Sequence, residues 1–421
     1  MPEPSAKEGN PAVTNPACTA TPAPDQPLTQ MPHQAAPSAH TADAERPALA
    51  HWAAQSIIGK PCPWPLGQDT TDAQAANAFF TTEGVGPLCH HALQTTGAEQ
   101  TVPTYIWELL REQRRSEAAL ELIRSHQDSQ VLQCLADIGL RPLVLKGAAY
   151  AHALYPEANL RPRCDTDLLF PDKASAQEAW QRLEQAGYQL NPNVVEGRFV
   201  SRQRTCVKPT HAGHALDMHW AISNTHTFVR ALPYAELARD AVPLPTLHQQ
   251  ARTLGPVHSL LFACLHLFGH EQHEPMPRLL WLYDILLLGR RLDGPDWDNF
   301  TGEVIEKQVA GICRYVLDAA NERFPMPGFD AIRPALAAAE TQEPFRPDRV
   351  KTAFSYCLRD LQGLDNWMQR LQWIGESLFP SPDYMRSKYQ TTNNAWLPLL
   401  YLHRSAAGIA KRLGFKPAAK P

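Results

Sequence analysis

Three aspartates stand where they could do chemistry together. Asp165 and Asp167 lie two apart in CDTDLLF, Cys164 to Phe170. On a strand, side chains two apart point to the same face. Two carboxylates side by side repel, and one tends to protonate unless a cation neutralises both. Mg2+ suits such a pair, being a hard ion that takes carboxylate, water and phosphate oxygens. A third carboxylate, Asp217, sits in the alternating stretch ALDMHW. It is the candidate to complete a two-ion site for in-line phosphoryl displacement. One ion would hold a triphosphate. The other would lower the pKa of an attacking hydroxyl, with Asp217 binding that ion or accepting the proton. The expected metal ligands and catalytic residues are therefore Asp165, Asp167 and Asp217.

Upstream, LVLKGAAYAHALY carries Lys146 and Gly147. A glycine turn at the start of a helix lets backbone N–H groups approach phosphate. Arg161, just before the paired aspartates, adds a second cation. His219 follows Asp217 by two and shares its strand face. It is a candidate contact for nucleotide or a bound water, while the plainer reading is a histidine hydrogen-bonded under Trp220. Lys146, Gly147, Arg161 and His219 are the expected nucleotide-binding residues.

Other groups are weaker candidates. His266 and His270 share a helix face, with His273 beyond. Such spacing can bind Zn2+, but no carboxylate or thiol stands at the matching interval. The better reading lines the cleft with them and Arg278. Asp284, inside LLWLYDILLL, needs a partner, and Arg278 or one of those histidines is the expected one. Cys164 has no base nearby in sequence, so a thiol nucleophile is not expected. Arg202 and Arg204, two apart on a strand, could lead substrate to the metal, though scattered solvated charge is the simpler account.

These side chains need elements to hold them. Arg141 to Lys146 reads as a short apolar strand, Ala148 to Tyr155 as a helix stopped by Pro156, and Cys164 to Phe170 as the next strand. Ala174 to Ala186 is helical by pattern. Tyr188 to Leu190, Arg198 to Val207 and Ala215 to Ile222 are strand candidates. Upstream, Val85 to Leu93, Pro103 to Ile123 and Asp128 to Ile138 read as helices, the last capped by Asp128 or Ser129 and closed by Gly139. Downstream, helical patterns run from Pro256 to Leu413. The fold class is α/β in the α+β sense. The expected division is a disordered Pro/Ala-rich tail (1–48), an N-terminal helical region (49–139), an α/β core (140–225), a helical domain (226–413) and a frayed tail (414–421).

The 421 residues are 44% hydrophobic and 19% charged, enough to bury a sizeable core, with net charge −4. That balance argues against a broad nucleic-acid footprint, though not against a local basic groove. The nine cysteines are dispersed, with no C-x-x-C, as in a cytosolic protein with reduced thiols. No stretch reaches the roughly 18–20 apolar residues that span a bilayer. No signal peptide is apparent. A cytoplasmic protein with no membrane partner is expected.

The segments LVLKGAAYAHALY, LRPRCDTDLLF and LDMHW occur in one order, followed by HLFGHEQHEPMPRLLWLYD. In this the chain resembles an uncharacterised nucleotidyltransferase family over roughly residues 80 to 300. The resemblance implies a minimal polymerase-β-like nucleotidyltransferase fold, Mg2+ and a nucleoside triphosphate, with ATP the first expectation. Asp165 and Asp167 match the family's metal-binding pair, Asp217 its third carboxylate and Gly147 its nucleotide-facing glycine. Lys146 and Arg161 match basic positions. The chain departs from the wider superfamily in having Lys-Gly-Ala where Gly-Ser is common, so no Ser hydroxyl is available to phosphate. The interval from Gly147 to Asp165 is longer than in the minimal pattern, and Arg163-Cys164 replaces small residues before the first aspartate. The acceptor is open: a small molecule, a protein or RNA. A catalytically degenerate binding protein and a toxin-like or regulatory modifier of RNA or protein are the alternative readings.

Overall fold

A computed structural model of the chain describes residues 39–412, apart from 61, 68–69, 192–196, 198, 210–212, 272–277 and 350–352. Residues 1–38 of the disordered tail expected at 1–48, the tail expected at 414–421 and His273 lie outside the described residues, while 39–48, expected to be disordered, are helical.

The described chain opens with α1 (Ala39–Ile57), α2 (Thr70–Glu83), α3 (Gly86–Thr96) and α4 (Thr104–Ala136). Helix α1 starts ahead of the boundary expected at 49. Leu49, Trp52 and Ala53 anchor its second half in the core, and the alanines before them favour continuing the helix. Helix α4 is one 33-residue helix where two were expected. Asp128 sits inside it and caps nothing, because its carboxylate is drawn into buried contacts with Arg163 and His214. Beyond its end Gly139 takes the left-handed conformation expected of it, at φ +83°.

Then come β1 (Leu143–Leu145), α5 (Lys146–Leu154), β2 (Asp165–Leu169), α6 (Lys173–Gln185), β3 (Gln189–Leu190), β4 (Gln203–Lys208), β5 (His214–His219), α7 (His226–Ala231), α8 (Tyr234–Arg239), β6 (Val242–Pro243) and β7 (Arg252–Thr253). The strands form one mixed sheet in the order β3-β4-β5-β2-β1-β7-β6. Strands β2 and β5 run parallel, and β1 is antiparallel to β2. The two-residue strands β6 and β7 were not expected, being too short to leave a pattern; β7 extends the sheet by pairing parallel to β1.

The chain closes with α9 (Pro256–Glu271), α10 (Leu279–Gly289), α11 (Gly294–Glu306), α12 (Ala310–Arg323), α13 (Phe329–Glu340), α14 (Ala353–Gln362), α15 (Trp367–Leu378), α16 (Pro382–Tyr389) and α17 (Leu397–Arg412). The fold is α+β. One buried apolar cluster runs through helices and sheet alike, from Trp52 and Ile106 through Leu168 and Met218 to Phe268, Phe324 and Tyr356. Among the described residues no helix is long and apolar enough to cross a membrane.

Strand alternation gives the sheet two unlike faces. Leu168, Leu216, Met218 and Cys206 are fully buried on one of them. On that side Arg204, the register partner of Met218, lies over the Trp180 ring of α6 and donates to Gln177. Arg204 is therefore turned away from Asp217, and the idea that it leads substrate to the carboxylates fails. The cause is a one-residue offset: Thr205, its neighbour, pairs with Asp217.

Candidate active site

The carboxylate face is assembled by register. In the parallel β2–β5 pair Asp167 lies directly opposite Asp217, and Asp165 opposite Ala215. One oxygen from each of Asp167 and Asp217 and a ring nitrogen of His219 lie within 4.8 Å of one another. Asp165 lies two residues before Asp167 on the same face. His219 Nε2 is 2.8 Å from Asp167 Oδ1, so its contact is this carboxylate. Asp217 is held from β4, where Thr205 Oγ1 donates to its Oδ1 and Gln203 Nε2 reaches its Oδ2 at 3.3 Å.

The charges on this face are unequal. Burial, and then the Asp167 and Asp217 charges, push the Asp165 carboxyl up to about 7 against the pull of Lys146 and Arg163. Burial also acts on Asp167, but the Lys146 ammonium and His219 outweigh it and hold that carboxyl well below the usual range. Lys146 Nζ lies 2.6 Å from Asp167 Oδ1. Burial opposes the lysine charge too, and Asp167 more than restores it.

The turn that leads from β1 into α5 is close-packed. Lys146 has φ +46°, a left-handed conformation few non-glycine residues adopt. Its pairing with Asp167 helps hold it there. At Gly147 a Cβ would stand 3.0 Å from Arg161 Nη1 and 3.2 Å from Arg163 Cβ. Both arginines are anchored elsewhere, so a larger residue has nowhere to push them, and glycine lets the backbone come this close.

A family model described as uncharacterised nucleotidyltransferase matches residues 69–325. The chain belongs to this nucleotidyltransferase family. The match takes in Lys146, Gly147, Arg161, the three aspartates and His219. No curated protein matches the chain.

Within this nucleotidyltransferase chain Arg161 is not placed as expected. Its Nε lies 2.9 and 3.2 Å from the two oxygens of Asp284, and its Nη2 lies 2.6 Å from Oδ2. Tyr155 Oη donates to Asp284 Oδ1 at 2.8 Å. Two of the three guanidinium nitrogens are thus committed to a carboxylate on α10. That also corrects the partner expected for Asp284. Arg278, just before α10, lies over the Trp281 ring. Asp284 is instead turned toward Arg161 and α5.

Arg163 goes the other way. Its Nε and Nη2 contact the two oxygens of Glu121, Nη2 also reaches Asp128, and Nη1 donates to Thr166 Oγ1 at 2.7 Å. The departure at Arg163 is thus a buried tie from α4 to the aspartate strand. Asp128 accepts from His214, whose other nitrogen meets Tyr188. Sequence reasoning passed over Glu121, Thr205 and Gln203. Only the alternation of Gln203 and Thr205 hinted at a shared face, and nothing in the sequence said which strand they would pair with.

His266 and His270 pack ring against ring, centroids 4.7 Å apart, and His270 packs on Trp281 at 5.0 Å. Among the described residues neither falls in a group that could hold a metal ion. His266 is near the site: burial, then Lys146 and His270, hold it well below the usual histidine range.

Proposed function

We propose that this protein transfers a nucleoside monophosphate from a nucleoside triphosphate, ATP first among them, to a hydroxyl of its acceptor, with Mg2+ held by Asp165, Asp167 and Asp217. The observation that carries the reading is the three-carboxylate face. A half-buried carboxyl raised to about 7 beside two further carboxylates, with Lys146 the cation at hand, is a donor set that suits divalent cations. When bound, such ions neutralise phosphate charge and lower the pKa of an attacking hydroxyl.

The chain's own residues do the rest. Thr205 and Gln203 aim Asp217, which in this reading accepts the hydroxyl proton. His219 and Lys146 orient Asp167. Lys146 also brings positive charge to where phosphate would lie, and the Gly147 backbone gives phosphate close approach. In the reaction the acceptor oxygen bonds to the α-phosphorus, the bond to pyrophosphate breaks, and the proton passes to Asp217. None of the eight described cysteines is in a disulfide, which supports a reducing, cytoplasmic setting.

The test is incubation with labelled nucleoside triphosphates, Mg2+ and cell extract, comparing wild type with Asp165→Asn/Asp167→Asn. Labelling of an acceptor by wild type and its loss, by roughly a hundredfold or more, in the variant is expected. Equal labelling by both overturns the assignment.

A further inference from the structure

We propose that Asp284, on helix α10 outside the sheet, positions the Lys146–Gly147 turn for a nucleoside triphosphate by holding Arg161. The inference rests on the nucleotidyl-transfer reading above. It makes Asp284 and Arg161 positioning residues of that site.

Asp284 is 3% exposed in a helix otherwise lined with leucine, isoleucine and aromatic residues. Arg161 is 5% exposed, and the two form a two-pronged pair. A buried pair of this kind is poor at stabilising a fold, because desolvating both charges offsets their attraction, and apolar residues of similar volume often do as well. What the pair does supply is direction. A guanidinium gripped at Nε and Nη2 cannot rotate, so Nη1 is fixed against Gly147, 3.0 Å from where a Cβ would stand. The same unit grips the helix that the turn begins. Tyr155 Oη donates to Asp284, and the Arg161 guanidinium lies 5.5 Å over the Tyr150 ring. Gly147, Tyr150 and Tyr155 span α5 from its first turn to the residue past its end. Asp284 thus clasps both ends of the element that would present backbone N–H groups to phosphate.

The experiment titrates full-length protein with a fluorescent ATP analogue in Mg2+ and records melting temperature in parallel. The informative variant is Arg161→Met/Asp284→Leu, which removes both charges and leaves none unpaired. A folded double variant, melting near wild type, is expected to bind the analogue roughly tenfold or more weakly, since misplacing a turn costs affinity without unfolding the chain. Arg161→Lys keeps the charge and loses the two-pronged grip, and it is expected to weaken binding in the same direction. Wild-type affinity in a folded double variant overturns the inference and leaves nucleotidyl transfer standing. If the double substitution unfolds the protein, Arg161→Lys decides, and unchanged affinity there overturns it. Failure of the wild type to bind this analogue and the corresponding GTP, CTP and UTP analogues overturns both readings.

Discussion

Asp165 and Asp167 are two residues apart on one face, yet their surroundings pull them in opposite directions. Asp167 has Lys146 and His219 on its oxygens, while half-buried Asp165 faces like charge. Neutralising each should therefore have opposite effects on stability. Asp165→Asn relieves repulsion and is expected to stabilise the metal-free protein at pH 8 by about 1–3 kcal/mol. Asp167→Asn strips Lys146 of its partner and is expected to destabilise by about 3 kcal/mol or more. Urea melts of the two variants in the presence of a chelator check this, and a shift of the same sign in both would contradict it. Asp217 depends on its neighbour in β4. Thr205→Val keeps the side-chain shape and deletes a donor, so on the proposed function it is expected to lower turnover about tenfold with little change in nucleotide affinity, because the proposed proton acceptor loses its aim. Steady-state kinetics would show the split.

At the scale of elements, the site is where β2, β5 and β4 meet, and the helices on either side serve to hold it. Residues Arg161 and Arg163, separated by one proline, part in opposite directions, one to α10 and one to α4. The short helix α7 is held from α14 in a comparable way. Asp360 accepts from the backbone amides of His226 at 2.6 Å and Thr227 at 3.4 Å. Burial raises its carboxyl to about 6, against those amides and Arg202. A carboxyl raised on folding keeps its proton in the folded state where the unfolded chain has lost it. Its contribution to stability therefore falls as pH climbs from about 4 to about 6 and is level above that. Asp360→Asn keeps the acceptor oxygen and removes the titration. The wild type is expected to lose about 1–3 kcal/mol relative to Asp360→Asn across that window, measured by chemical denaturation at pH 4.5 and pH 7. A difference independent of pH would refute the expected sign.

For the whole molecule, the family match ends at 325, but the core does not. Phe329, Leu336, Phe345 and Tyr356 are buried in the same cluster as the sheet. By contrast α15 and α17 expose Trp367, Met368, Leu371, Leu399 and Leu402. A chain ending at 325 is expected to be insoluble or molten, having lost several fully buried aromatic and leucine side chains at about 2–5 kcal/mol each. A chain ending at 364 is expected to fold cooperatively and keep nucleotide affinity. Circular dichroism melts of the two truncations test this, and a stable chain ending at 325 would show that α13 and α14 are dispensable.

Local rules sufficed for part of this. The spacing of Asp165 and Asp167 put both on one face, because strand alternation is a property of the backbone alone. Proline, glycine and apolar periodicity located most helices and strands β1 to β5. The ordered segments carried the family. What local rules could not decide was anything set by two distant segments meeting. Pairing in register put Thr205 rather than Arg204 beside Asp217, and one residue of slip would have exchanged them. Asp128 looked like a helix cap until Arg163 and His214, far along the chain, claimed its carboxylate. Arg161 matched a basic position but had its guanidinium committed to Asp284 by packing between α5 and α10. The sequence by itself thus determined that Asp165 and Asp167 share a face, and the β2–β5 register added Asp217 to it. The tertiary structure alone decided which charges neutralise them, because a buried ionic group takes whatever partner the fold brings within reach.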